Sequence, residues 1–343
     1  MKKISTITIT GAGGLQASVS NYGAKILSLL VPNQAGEVVD VLLGFSSMEE
    51  WQTLEPSFNA VIGRYANRIK NGCFTIDGQT YQLPINCAGN TLHGGLQGFQ
   101  QQIWDIVGQS AYSVSLHYRS IDGEQGFPGM VDVYVTYQIT KNNALRITYE
   151  AKTSAPTVIN LTQHAYFNLE GEHSDSIRQH ILQINADAFT EMDDTNCPTG
   201  TILSVEGTPM DFRQPTRIGD RIDDPIFAPT RGIDANWVLH PTPYTLHRDA
   251  VASTPHTLHR NAVATLSAAG RTMQVFTTQP ALQVYTANFV EENIGKSGTL
   301  YHPQNAICLE TQNYPDAPNH PSFPSAVLRP GEVYFQQTEY KFV

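Results

Sequence analysis

Charge is what this chain has least of. Only 15% of its 343 residues are Asp, Glu, Lys or Arg, and 31 acids against 21 bases leave a formal net charge of −10. A nucleic acid or an anionic membrane needs a basic face, so neither is expected as a partner. Cysteine is also sparse. Cys73, Cys87, Cys197 and Cys308 show no C-x-x-C spacing, which reads as free thiols in a reducing compartment and points to the cytoplasm. After Met1-Lys2-Lys3 the chain alternates Ile with Thr over residues 4–10 and builds no apolar run, so no secretory leader is expected. The sequon Asn160-Leu161-Thr162 then meets no glycosylation machinery. P-loop, G-x-S-x-G and H-E-x-x-H patterns are missing, which removes the commonest phosphate-, acyl- and zinc-based chemistries.

Helical patterning is nearly absent as well. Only residues 46–52, with a Ser cap and Glu49-Glu50 in the first turn, read as a helix. What fills the chain instead is period-2 alternation rich in Val, Ile, Thr, Tyr and Phe, over 3–10, 17–31, 38–44, 74–83, 104–118, 131–140, 145–151, 181–189, 273–278 and 333–342. Turn signals such as Gly11-Ala12-Gly13-Gly14, Asp77-Gly78, Asp122-Gly123, Asn142-Asn143 and Pro330-Gly331 punctuate it. The first of these lacks the third glycine and the following helix of a dinucleotide loop, and reads as a hairpin turn. With 41% hydrophobic residues the chain can bury a large core without staples. The expectation is an all-β fold, a large antiparallel β-sandwich forming a single domain over 1–343. One local duplication stands out, Thr245-Leu-His-Arg-Asp-Ala250 recurring as Thr257-Leu-His-Arg-Asn-Ala262. It gathers His240, His247, His256 and His259, but few carboxylates lie near, so a surface hairpin or loop is expected there and no metal.

Residues 157–171 read as one strand with two unlike faces. Ile159, Leu161, Ala165 and Phe167 form an apolar back; Asn160, Thr162, His164 and Tyr166 form a polar front. Such a front suits the floor of a cleft for a polar, uncharged ligand such as a sugar. Four other stretches put polar groups where a sandwich does not need them. Residues 62–69 set Arg64, Asn67 and Arg68 among apolar neighbours, and 90–95 place His93 beside two glycines that let backbone and imidazole approach a ligand. Asp234 and Glu310 each stand alone in apolar surroundings, where a carboxylate needs partners or a raised pKa. Two imidazoles, two carboxylates and a guanidinium are the inventory of general acid–base chemistry on a polyol.

The motifs IGRYANRI, NTLHGG, DGEQGFPG, TQHAYFNLEG, PALQVYTANF, LETQNYPDAPNHPSFPS and LRPGEVYFQQTEYKF, in this order from about Asn21 onward, resemble the aldose 1-epimerase (galactose mutarotase) family. The resemblance implies a large β-sandwich that interconverts the α and β anomers of free hexoses such as galactose and glucose, with a monosaccharide as ligand and neither cofactor nor metal. It implies Glu310 as the general base at the C1 hydroxyl and His164 as the general acid at the ring oxygen. Asn67, Arg68, His93, Asp234 and Gln283 would bind sugar hydroxyls. His164 would have to start protonated, and a nearby carboxylate would help keep it so. The family pattern usually has an aromatic before this aspartate and a histidine after it, where this chain has Ile233 and Ala235. Three alternatives stand beside this expectation. A hexose-phosphate 1-epimerase would need more cations at the mouth than Arg64, Arg68 and Lys70. A glycosidase would use Glu310 and Asp234 as carboxylates roughly 5 to 10 Å apart. A sugar-binding module of the same fold would have lost activity. The sequence leaves monomer and homodimer equally open.

Overall fold

The computed structural model describes residues 3–33, 35–240 and 261–343. The period-2 segments form strands because alternate side chains can leave water together: along Val131–Ile139, Val131, Val133, Val135, Tyr137 and Ile139 are all buried. Among the described residues nine strands make the larger sheet. In spatial order these are Asp105–Gln109, Ser113–Ser120, Val131–Ile139, Ala144–Thr153, Tyr334–Phe342, Arg271–Thr277, Ala264–Ala268, Ile181–Ile184 and Thr216–Arg217. A five-stranded sheet runs Pro198–Ser204, Ala188–Met192, Asp234–Val238, Ala281–Tyr285, Cys308–Gln312. Neighbouring strands in both sheets pair antiparallel.

The two sheets share one core. Val133, Val135, Ile147, Leu266 and Val275 from the first meet Phe189, Trp237, Leu282, Val284 and Leu309 from the second, and Ile9, Val19 and Leu29 of a four-stranded N-terminal sheet join them. Each such aliphatic side chain contributes roughly 1.5 to 3 kcal/mol by leaving water. Polar bonds fix the register between the sheets: Tyr340 Oη donates to the Leu309 carbonyl at 2.9 Å, and Gln336 Nε2 to that of Thr311 at 3.0 Å. The single α-helix among the described residues, Met48–Thr53, starts at a Ser47–Glu50 capping box. The Gly11–Gly14 stretch turns between Thr6–Thr10 and Gln16–Ser20, as a hairpin does. No helix is long and apolar enough to cross a membrane among the described residues. The four cysteines carry free thiols.

Residues 157–171 are not one strand. Thr157–Val158 pairs with Val327–Leu328, Thr162–Gln163 with Val61–Ile62, and Asn160 and Phe167 make isolated bridges to Tyr65 and Ile307. The apolar back is real, since Ile159, Leu161, Ala165 and Phe167 enter the main core. The polar front is no open floor. Asn160 is wholly buried and its amide donates to the Ala66 and Asn313 carbonyls, while Thr162 donates to Thr311. Residues 104–118 likewise form a hairpin of two strands, Asp105–Gln109 and Ser113–Ser120. Residues 245–260 of the duplicated segment, with His247, His256 and His259, lie outside the described residues; His240 stands 3.5 Å from Asp187.

Arg64 belongs to the fold. Its Nη1 donates to the Pro128 and Gly129 carbonyls at 2.7 and 2.8 Å and to Thr157 Oγ1, and its Nη2 reaches Ser120 Oγ and the Ile121 carbonyl. A planar fork fills all these acceptors at once, and an ammonium does not. Arg64→Lys is expected to lower stability by about 2 to 4 kcal/mol, read as a lower urea midpoint; an unchanged midpoint would contradict this role.

Candidate active site

The five-stranded sheet presents two faces, and the one turned from the sandwich core holds the candidate groups. In Cys308–Gln312, Leu309 enters the core, so Cys308 and Glu310 share the other side. Gln283 lies directly across from Glu310, and Asp234 pairs with Tyr285 one strand further on. Leu282, Val284, Ala235 and Trp237 all enter the core. Ala235 therefore points away from the site, and the carboxylate of Asp234 is held by other means: Gln283 Nε2 donates to its Oδ1 at 2.6 Å and Asn196 Nδ2 to its Oδ2 at 3.0 Å.

Three connecting segments close over this face. His164 is anchored by its own backbone, its N–H on the Ala60 carbonyl and its carbonyl accepting from Asn59 N. Its ring stacks on Tyr166 at 5.0 Å, and Tyr166 stacks on Phe58 at 4.0 Å. The imidazole then points Nε2 at Glu310 Oε1, 3.7 Å away, and Nδ1 at Cys308 Sγ, 3.4 Å away. His93 meets His164 edge-on at 5.3 Å. Its Nδ1 accepts from Asn67 N at 3.2 Å, which leaves the proton of the neutral ring on Nε2. His93 and Asn67 both sit at positive φ and bond reciprocally through backbone and ring. Asn67 Oδ1 accepts from Arg68 N at 2.8 Å, so its oxygen is held by the turn. The glycines after His93 have another use than ligand access. A Cβ on Gly94 would fall 2.1 Å from the Gly63 carbonyl oxygen, so this glycine lets the loop press against residues 63–64.

Glu310, Asp234, His164 and His93 are each shifted toward the uncharged form. Glu310 lies well above the ordinary carboxylate range, first through burial and then through the charge of Asp234, with Arg68 pulling the other way. Asp234 is raised by burial against Arg68 and Gln283. Burial brings His164 down to about 4, against a smaller upward pull of its own backbone, and the charge of Lys25 adds to the fall. His93 is lowered well below its usual value by burial, then by His164 and Arg68. Burial thus works against protonation of His164 even with the Glu310 carboxyl 3.7 Å away. Among the described residues, Glu310 Oε2 and Gln283 Oε1 are buried without a hydrogen-bond partner, and orphaned acceptors of this kind mark a place for a donor from outside.

All seven expected residues therefore gather here: Glu310, Gln283 and Asp234 on the sheet, His164, His93, Asn67 and Arg68 on the covering segments. Sequence reading missed Tyr166 as the stacking partner, Asn196, Cys308 and Lys25. Cys308 was findable, since it stands two residues before Glu310 on a strand. Asn196 gives no such signal, because only the chain's return past Asp234 brings it close. Lys25 is wholly buried, lowered to about 7 by burial against the pull of Glu55, and donates to the Phe58 carbonyl at 3.1 Å beneath the aromatic stack.

A strand-built floor with a buried carboxyl–imidazole pair and amide and guanidinium groups around it defines a class of acid–base catalyst for a polar neutral ligand. Comparison with known proteins narrows this. Residues 5–341 match the family model described as aldose 1-epimerase, and the chain belongs to that family. It is 41% identical over 329 residues to galactose mutarotase of Rattus norvegicus, covering 96% of this chain and 91% of the relative. It is 36% identical over 341 residues to aldose 1-epimerase of Escherichia coli K12, covering 98% and 94%. The crystal structure of an aldose epimerase homologue from C. elegans superposes with a TM-score of 0.88 at 30% identity over 99% of both chains.

In the unliganded protein the His164 ring is expected to titrate near about 4, followed by NMR. Titration near the ordinary value of roughly 6.5 would contradict a dry site.

Proposed function

We propose that this chain interconverts the α and β anomers of free hexoses by general acid–base ring opening and reclosure. The observation that carries the reading is the buried pair, Glu310 Oε1 and His164 Nε2 at 3.7 Å, beside an unpartnered Glu310 Oε2. The pair shares one proton across the neutral range. Both shifts favour the neutral forms, which argues for Glu310 as the holder of that proton in the free protein. A bound hexose changes the balance, because its C1 hydroxyl donates to a carboxylate and its ring oxygen accepts from an imidazolium.

The step then runs from charged to uncharged. Glu310 takes the proton of the C1 hydroxyl, the C1–O5 bond breaks, O1 becomes the aldehyde oxygen, and His164 Nε2 gives its proton to O5. Glutamic acid and neutral imidazole are the states a low-dielectric site prefers, so the open-chain sugar forms in the protonation state that burial favours. Rotation about C1–C2 presents the other carbonyl face, and closure returns both protons along the same paths. Arg68, His93, Asn67, Asp234 and Gln283 hold hydroxyls. Arg68 and the Nε2–H of His93 are the donors for charge developing on oxygen.

A phosphorylated hexose fits this site less well. Of the three cations expected at the mouth, Arg64 is bound to internal acceptors and Lys70 pairs with Asp193 at 2.7 Å, which leaves Arg68.

Polarimetry on fresh α-D-galactose and α-D-glucose tests the reading. Wild type should speed the drift to equilibrium, and Glu310→Gln and His164→Asn should each lose on the order of 10² to 10⁴ in kcat; rates equal to buffer alone for wild type would overturn it. The pH profile follows from the single shared proton. Activity should fall on the acid side as His164 takes a second proton near about 4, and on the alkaline side as Glu310 loses the last one well above the usual carboxylate range. Burial sets both limits first, with Asp234 and Arg68 acting on Glu310 and Lys25 on His164. A profile falling through 6.5 on its acid side would contradict it.

A further inference from the structure

Cys308 lies outside the acid–base pair, yet it faces the one nitrogen of His164 that the reaction leaves unused. Sγ stands 3.4 Å from Nδ1, and both residues are buried. Cys308 and Glu310 are two apart on one strand, so a single face of that strand meets both ring nitrogens: Sγ at Nδ1, Oε1 at Nε2, 3.7 Å away. A neutral imidazole can carry its proton on either nitrogen, and the partner of one decides the state of the other. The shuttle described above needs one particular choice. After Nε2 has protonated O5 it must offer a lone pair to take the proton back, so Nδ1 must keep its own proton throughout.

We infer that Cys308 is a positioning residue whose Sγ accepts the Nδ1–H of His164 and so holds the tautomer whose Nε2 faces Glu310 and the ring oxygen. This rests on the proposed function. The chemistry of sulfur suits the task. A carboxylate in this place would add a second negative charge beside Glu310 and bind the proton to the imidazole. A thiol accepts weakly, so it orients the ring and leaves the proton on Nε2 free to move. Burial raises the thiol well above its ordinary range, so no thiolate forms to compete for that proton. The Tyr166 stack, with ring planes 18° apart, restrains tilt, while the sulfur fixes rotation and proton placement.

The test combines nitrogen-15 NMR of the histidine-labelled full chain with kinetics. In unliganded wild type His164 should show a protonated Nδ1 and a bare Nε2. Cys308→Ala should give mixed tautomers and a kcat lower by about 10- to 100-fold, with KM within about twofold. Cys308→Ser, which restores an acceptor, should recover the Nδ1–H tautomer and most of kcat. A merely structural cysteine would lower the melting temperature of Cys308→Ala and leave tautomer and kcat alone, which would overturn the inference. Should neither variant fold, wild type still decides: a bare Nδ1 and protonated Nε2 would overturn it. Wild type that leaves anomers unchanged would instead defeat the proposed function, since the tautomer is read without activity.

Discussion

Removing an acid and a base from water together is the constraint on which the rest of this site depends. A carboxylate and an imidazolium are each well solvated by water, and burial penalises both charges before their mutual attraction is counted. Here the attraction acts over 3.7 Å between Glu310 and His164, and Asp234 opposes ionisation of Glu310 while Arg68 favours it. On the proposed reading, burial steers the pair's single proton to the carboxyl and a bound ligand redirects it to the imidazole. Such a pair responds to a ligand carrying both a hydroxyl donor and an ether acceptor, and it needs no strong acid or base free in solution.

The scaffold holds this balance by separating two duties. The strand Cys308–Gln312 buries Leu309 in the core and thereby aims Glu310 outward, with hydrogen bonds to the larger sheet fixing its register. The covering segments lack long ladders and are held by local devices: the reciprocal bonds of Asn67 and His93, the close approach of Gly94, and the stack from Phe58 through Tyr166 to His164. Lys25 beneath that stack bonds the Phe58 carbonyl and adds a positive field that disfavours imidazolium. Rigid sheet and locally fastened loops together exclude water from the pair.

Much of this was legible in the sequence, for physical reasons that also mark where reading stopped. Period-2 burial is a local property, so the antiparallel sandwich, the strand bearing Glu310 and the apolar back of residues 157–171 could be read from spacing. Partner choice is not local. Residues 157–171 keep their alternation while their backbone groups pair in turn with Val327–Leu328, Tyr65, Val61–Ile62 and Ile307, and no periodicity records such changes. Arg64 and Arg68 look alike in IGRYANRI, yet one fork fills internal carbonyls and the other reaches the carboxylates by its field. The downward pull of burial on His164 was not legible, because the sequence shows a neighbouring carboxylate but no depth of burial. Asn196 on Asp234 depended on a loop's path alone.

The resting place of the shared proton is the claim to test first. Infrared difference spectroscopy of unliganded wild type against Glu310→Gln at neutral pH should show the C=O band of a protonated carboxyl that disappears in the variant. Loss of a carboxylate band alone would mean that Glu310 is ionised in the empty site. That result would contradict the account, since burial would not then govern the pair.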